Sequence, residues 1–307
     1  MKLLVIGGTG FVGSYLVPRL VEAGHEPVLL ARRAALGRVA ALPGVRVIEA
    51  DPMRHGPWWQ AIQDCEAAIN LCGEPIHGRW NEAKKSRIRE SRLKPLAHLI
   101  AAIPQDRPFK LLSASAVGYY GDAGERVLTE TAPPGRDFLA RMARDWETRA
   151  LTAEGGQTRV ALMRFGMVLG VGGGALEELI KALQRRIGAV IGRGRQWVSW
   201  IHQEDVARAV LYLLENDRLE GPFNLASPEP RRQADIVRSL AGQLGCRVGL
   251  PTPARAVRLA AGGFADALLA SQRMSPEALL EAGFEFRYPD LEEAFAEILS
   301  RRGRPAV

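Results

Sequence analysis

Cysteine is scarce in this chain. Cys65, Cys72 and Cys246 stand among 307 residues, form no C-x-x-C pair and leave one over. A disulfide framework is thereby excluded, and a reducing compartment, the cytoplasm, is expected. Long apolar runs are missing too: no stretch of about 18 such residues is available to span a bilayer. The opening "MKLLVIGGTG" lacks the small-residue cleavage site of a secretory leader and reads as a first strand. Five scattered histidines make no H-E-x-x-H or comparable spacing, so no metal is expected. The net charge is +7, but the positive residues are dispersed apart from a helix around 81–94 (Lys84, Lys85, Arg87, Arg89, Arg92, Lys94) and the tail "RRGRP". We read these as a solvated helix face and a frayed end, and expect neither nucleic acid nor membrane as a partner. A small-molecule substrate is expected, and a homodimer is the self-association the reading allows.

What the sequence does have is alternation. "KLLVIGG", "HEPVLLARR", "VRVIEAD", "AAINLCG", "FKLLSAS" and "RVALMRFGMVLG" are apolar strand-like runs, separated by stretches with helical spacing. Strands that are apolar on both sides, joined by amphipathic helices, predict an α/β fold: a Rossmann-type doubly wound parallel sheet. After residue 170 the rhythm breaks. "WVSWIH" and "GPFNLAS" read as short strands, and 231–300 as short helices divided by Pro and Gly. The expected division is a nucleotide-binding domain at 1–170, rejoined by 195–217, and a smaller, mostly helical substrate domain at 171–194 and 218–307.

The first strand runs into "IGGTGFVG", which spaces Gly7, Gly10 and Gly13 as G-x-x-G-x-x-G ahead of a helix. Gly7 permits the tight turn, Gly10 lets backbone approach a pyrophosphate, and Gly13 lets helix and strand pack closely; the helix N-terminus offers free N–H groups. The second strand ends "LLARR". An NAD enzyme usually carries Asp or Glu there, against the ribose hydroxyls. Arg32 and Arg33 instead suit a 2′-phosphate, so the expected cofactor is NADP(H). Asp51, closing the third strand, reads equally as an adenine partner or a loop cap. Asn70, Leu71 and Gly73 end the fourth strand and are expected beside the pyrophosphate and nicotinamide ribose.

The glycine loop, "SASAVGYYG", "WIHQEDVARAV" and "GPFNLAS" together resemble the extended short-chain dehydrogenase/reductase superfamily. "NLCGEPIHGRW", "RFGMVLGVGGGAL", "GRGRQWVSWIH" and "GFEFRYPDLEEA" narrow the resemblance to its NAD-dependent epimerase/dehydratase-like "epimerase family" proteins, which carry a small C-terminal domain of undefined function. The resemblance covers nearly the whole chain. It implies a Rossmann-type domain and bound NADP(H), with no substrate attached. It places Gly7, Thr9, Gly10, Phe11, Val12 and Gly13 at the pyrophosphate and Arg32 at the 2′-phosphate. It further implies that Glu74 and Arg79 line the cofactor, that Arg164, Gly166 and Val168 lie near the nicotinamide, and that Ser115 holds the catalytic Ser/Thr position. Ser113, in the same strand, is counted with the cofactor side.

That superfamily pairs a tyrosine with a lysine four residues on, because a phenol with pKa near 10 needs an adjacent cation to act as a base. Here Tyr15, Tyr119, Tyr120, Tyr212 and Tyr288 are followed at that spacing by Arg19, Ala123, Gly124, Asn216 and Glu292. Where the pair belongs, in "DFLARMARDWE", Phe138 or Leu139 replaces the tyrosine and Met142 or Ala143 the lysine. One reading relocates the chemistry: Ser115 binds a substrate oxygen, Tyr119 or Tyr120 is the acid, Glu74 or Asp137 the base, and Arg79 or Arg164 depresses the phenol. That reading gives an oxidoreductase or epimerase acting on a small carbonyl or hydroxyl substrate. A second reading is an idle NADP(H)-binding regulator, and a third an ordinary structural domain. The second takes precedence if both hydroxyls point away from the cleft. His202 is expected to be structural and Asp205 to cap a helix. Trp197 and Trp200 are expected on one face, as core or as a platform for a substrate ring.

Overall fold

The computed structural model describes residues 1–38, 43–186 and 189–302; the end of the basic tail lies outside them. Seven parallel strands form the central sheet: β1 (Lys2–Ile6), β2 (Glu26–Ala31), β3 (Arg46–Glu49), β4 (Ala67–Asn70), β5 (Phe109–Ala116), β6 (Thr158–Phe165) and β7 (Gly221–Leu225). Their spatial order is β7-β6-β5-β4-β1-β2-β3. The order reverses beside β1, where Leu3 to Ile6 pair with Ala67 to Asn70 on one side and with Pro27 to Leu30 on the other. Such a reversal opens a crevice beyond the carboxyl ends of the strands.

Alternation along β1 decides the layers. Leu3 and Val5 face one side and pack with helices α1 (Phe11–Glu22) and α6 (Gln203–Glu215). Leu4 and Ile6 face the other, with α2 (Trp58–Gln63), α3 (Glu82–Ala102) and α4 (Phe138–Leu151). Each fully buried Leu or Ile contributes about 1.5–3 kcal/mol, so both faces are strongly held. Side chains set the helix starts: Asn81 accepts from the Lys84 N–H (2.8 Å) and Asp137 from the Ala140 N–H (2.9 Å).

The structure differs from the expected division at one edge. Residues 221–225 are the last strand of the main sheet, so the nucleotide-binding part runs past 217. The run "RVALMRFGMVLG" is two strands, because at Gly166 the chain leaves the main sheet; Met167–Leu169 then pairs with Trp200–His202. The remaining helices, among them α5 (Gly174–Gln184), Gln233–Gln243, Ala254–Ala261 and Leu291–Arg302, form the C-terminal part. Buried Asn224 ties it to the sheet, donating through Nδ2 to the carbonyls of Leu128 (3.0 Å) and Ser275 (2.9 Å). Asp205 is no cap. Its carboxylate accepts from the N–H groups of Arg287 (2.7 Å) and Tyr288 (2.9 Å), and the cap of α6 is His202, which accepts from the Glu204 N–H (3.1 Å). Trp197 and Trp200, three residues apart, part company. Trp200 is fully buried, whereas Trp197 lies between the guanidinium groups of Arg232 and Arg273 (3.9 and 4.5 Å to the ring centroid).

Candidate functional site

The glycine loop is built as tightly as its sequence suggests. Gly7 has φ of +83°, and a Cβ there would lie 2.7 Å from the carbonyl carbon of Leu71. A Cβ on Gly13 would lie 2.4 Å from Gly8 Cα, so helix and strand meet with no room for a side chain. Gly10 donates its N–H to Gly7 O (3.0 Å) and starts α1 with no side-chain cap. The first N–H groups of α1 are therefore left for a ligand. Thr9 is half-buried within the loop, while Phe11 and Val12 line the cleft beyond it. Phe11 also packs against Gly173 and Gly174, where a Cβ would meet its ring at 3.0 and 2.8 Å.

Charges gather at the carboxyl end of β4. Burial pushes the Cys72 thiol up to about 12, while the charges of Arg32 and Arg92 act against that rise and Asp51 adds to it. Arg32 and Arg33 are exposed beyond β2. Asp51 accepts from the Met53 N–H (3.0 Å), the turn-forming role, which leaves its second oxygen uncommitted. Asn70 and Ser113 are fully buried; Asn70 contacts Ser113 Oγ (3.5 Å) and accepts from the Cys72 N–H (3.2 Å). Their side chains fix the strand ends from behind, contrary to the expectation that they face a cofactor. Backbone at Leu71 and Gly73 is what remains open to one.

The cleft itself has a volume of about 590 Å³ and runs from Phe11 and Val12 to residues 263–272 of the C-terminal part. Phe138, Leu139 and Met142 line it, so the spacing of the missing tyrosine and lysine is met by Phe138 and Met142, one turn apart on α4. Two apolar side chains stand where a proton donor and its cation are expected.

The relocated machinery does not assemble. Ser115 is 2% exposed and donates its hydroxyl to Glu147 Oε1 at 2.6 Å. Glu147 is held by Arg164 through two bonds of 2.8 Å. Arg164 also donates to Tyr120 Oη (2.9 Å), and Tyr120 donates to Asn224 Oδ1 (2.7 Å). Tyr120 is 2% exposed, and burial pushes its phenol up to about 12 despite the adjacent Arg164. Ser115, Tyr120 and Arg164 thus form one buried network and lose the catalytic and nicotinamide-side roles expected of them. Tyr119 lies under the Arg164 guanidinium (3.7 Å) and, among the described residues, outside the cleft lining. Glu74 does line the cleft, but Lys84 (2.7 Å) and Arg87 (3.3 Å) bind its carboxylate, Lys84 above all holding its pKa down, so it is a weak base. Asp137 reaches the cleft with a carboxylate that caps α4. Arg79 packs against Gly262 and is not part of the cleft lining. Gly166 admits the Ser199 carbonyl, 2.8 Å from where a Cβ would sit, and Val168 shares a small recess with Phe11, Val12 and Tyr15.

Sequence reasoning missed Trp80, Lys85, Arg92, Asp266 and Gln272, all on the cleft. Lys85 and Arg92 were read as part of a solvated face. Their spacing of seven, two turns on one side of α3, was the available signal.

A family model for NAD-dependent epimerases/dehydratases matches residues 3–226, and a model for a domain of unknown function matches 252–298. The chain belongs to the NAD-dependent epimerase/dehydratase family. Among its relatives, the chloroplastic SDR39U1 homologue of Arabidopsis thaliana is 35% identical, covering 97% of this chain and 87% of that protein. Epimerase family protein YfhF of Bacillus subtilis is 33% identical over 98% of this chain and 99% of its own length. The crystal structure of the human epimerase family protein SDR39U1 with NADPH superposes with a TM-score of 0.84 at 30% identity, covering 98% of this chain and 99% of that one. UDP-glucuronic acid 4-epimerase from Bacillus cereus, in complex with UDP-glucuronic acid and NAD, reaches a TM-score of 0.80 at 15% identity, a likeness of fold alone. As an epimerase/dehydratase-family member the chain has a nucleotide-binding oxidoreductase fold. The glycine cradle and the uncapped start of α1 fit an NAD(P) dinucleotide. Among the described residues no cluster of metal-ligating side chains occurs and no helix is long and apolar enough to cross a membrane.

Proposed function

We propose that this protein binds NADP(H) in the cleft and holds it without the tyrosine–lysine proton transfer of its superfamily, as a cofactor-binding regulator. The observation that carries this is the pair Phe138 and Met142 on the cleft wall, together with the burial of Ser115 and Tyr120 behind it. Gly7, Gly10 and Gly13 would shape the cradle, the first turn of α1 would receive the pyrophosphate, and Arg32, with no acid at the end of β2, would take the 2′-phosphate. A bound NADPH would carry a transferable hydride, which this reading leaves unused. The chain's own residues position it and exclude water through Phe138, Leu139 and Met142. A cytoplasmic location belongs to the same proposal and is supported by three free cysteines.

A second reading is an oxidoreductase acting on a small carbonyl or hydroxyl substrate. It is favoured by the reach of the cleft to Asp266, Ala267 and Gln272, which leaves a wall for a further small molecule. The test loads the protein with NADPH and follows reduced-nicotinamide absorbance across a panel of small carbonyls and nucleotide sugars. The regulator reading expects stoichiometric binding and no turnover. Steady, enzyme-dependent oxidation with any panel member replaces it with the second reading.

A further inference from the structure

We propose that Arg92 is an oxyanion receptor on α3 and that the anion it receives is the diphosphate of the dinucleotide, gripped from the bank opposite α1. This inference rests on the cofactor reading above and adds a binding residue to it.

Arg92 lies on the cleft with its guanidinium against Gly73. A Cβ on Gly73 would sit 2.9 Å from Arg92 Cζ and 3.0 Å from Nη2, so glycine at 73 is what gives the group its place. Nη1 donates to the carbonyls of Glu74 (3.1 Å) and Ile88 (2.9 Å). The enclosed Nε meets no acceptor among the described residues. The nearest carboxylate, that of Glu74, is bound by Lys84 and Arg87. The Trp146 ring lies against the guanidinium, 5.3 Å from its centroid. Burial pushes Arg92 down to about 10; the groups opposing this are Glu74, already shared, and Cys72, whose thiol is itself pushed to about 12 and so stays neutral. A half-buried cation with no dedicated counter-charge is costly, and a ligand anion relieves it. With Nη1 engaged and Nε enclosed, Nη2 is the nitrogen left to donate a charge-assisted bond to a phosphate oxygen.

Position selects the diphosphate. Helices α1 and α3 cover opposite faces of the sheet, yet Val12 at the start of α1 and Arg92 on α3 line one cleft beyond β1 and β4. A group crossing the crevice there meets the free N–H groups of α1 on one side and the guanidinium on the other. The 2′-phosphate belongs one strand further, beyond β2.

The test is calorimetry on the intact protein with NADPH, NADH and ADP-ribose, for the parent, Arg92→Met and Arg92→Lys. Arg92→Met should weaken all three by a similar factor, about 10–100-fold, leaving the NADPH-to-NADH ratio unchanged. Arg92→Lys, which keeps the charge without the guanidinium, should fall between. Loss for NADPH and NADH with parent-like ADP-ribose binding would place Arg92 at the nicotinamide end, and loss for NADPH alone would place it at the 2′-phosphate; either would overturn the inference. So would parent-like affinity for all three in Arg92→Met, or in Arg92→Lys if Arg92→Met does not fold. A parent that binds none of the three defeats the cofactor reading itself, a result separate from these.

Discussion

A serine hydroxyl serves whatever accepts from it, and Ser115 serves Glu147. The pair Glu147–Arg164 is buried on both sides (side chains 6% and 4% exposed), so it depends on its hydrogen bonds. Ser115→Ala should therefore cost about 1–2 kcal/mol of stability by urea denaturation and leave NADPH affinity unchanged. Glu147→Gln, which strands the guanidinium, should cost about 3–5 kcal/mol. A Ser115→Ala protein as stable as the parent but weakened in ligand binding would return the serine to the cleft. Arg32, exposed beyond β2, is the residue proposed to carry the cofactor preference. Arg32→Ala should weaken NADPH by about 1.5–3 kcal/mol and leave NADH untouched, as separate titrations would show.

Among the elements, the loop between β1 and α1 was the most legible, since Gly7 and Gly13 stand where any Cβ would strike backbone. Gly10 is more open, its nearest contact being Gly7 O at 3.2 Å. Gly10→Val should thus leave the thermal transition nearly unchanged and abolish dinucleotide binding; retained binding would reduce the loop to a turn. Helix α4 was legible as a helix, and Phe138, Leu139 and Met142, among the residues at the expected place of the missing pair, line the cleft. Helix α3 was legible as a helix and misread as a surface. The spacing of Lys85 and Arg92 puts both on one side of the helix, but charge alone does not say that this side meets a cavity; the packing of Gly73 and Trp146 around Arg92 does. The serine–tyrosine network was invisible for a related reason: Ser115, Arg164 and Asn224 are distant in sequence and meet only through the parallel register of β5, β6 and β7, and Glu147 reaches them from α4.

At the scale of the molecule, the βα rhythm specified the parallel sheet because its strands are apolar on both faces. The last strand reads as a strand but is assigned to the smaller domain, because its polar Asn224 and leading Gly-Pro hide its place at the edge of the main sheet. The C-terminal part is held at the start of α6 as well. His202 there has a depressed pKa, burial outweighing Glu297, and its neutral form both accepts from Glu204 N and contacts Glu297 through Nε2 (2.9 Å). Its stabilisation is present above about pH 6.5, the unfolded value, and is lost as pH falls toward the folded one. The melting temperature should drop between about pH 7 and 5, and less so in His202→Asn, which keeps a capping oxygen. An equal drop in both proteins would remove His202 from that account. The central claim is that this fold holds NADP(H) through its glycine cradle and Arg32. Its most direct measurement is calorimetric titration of the unmodified protein with NADPH and with NADH: the account predicts saturable NADPH binding about 10–100-fold tighter than NADH, and equal affinity for the two, or no binding of either, would contradict it.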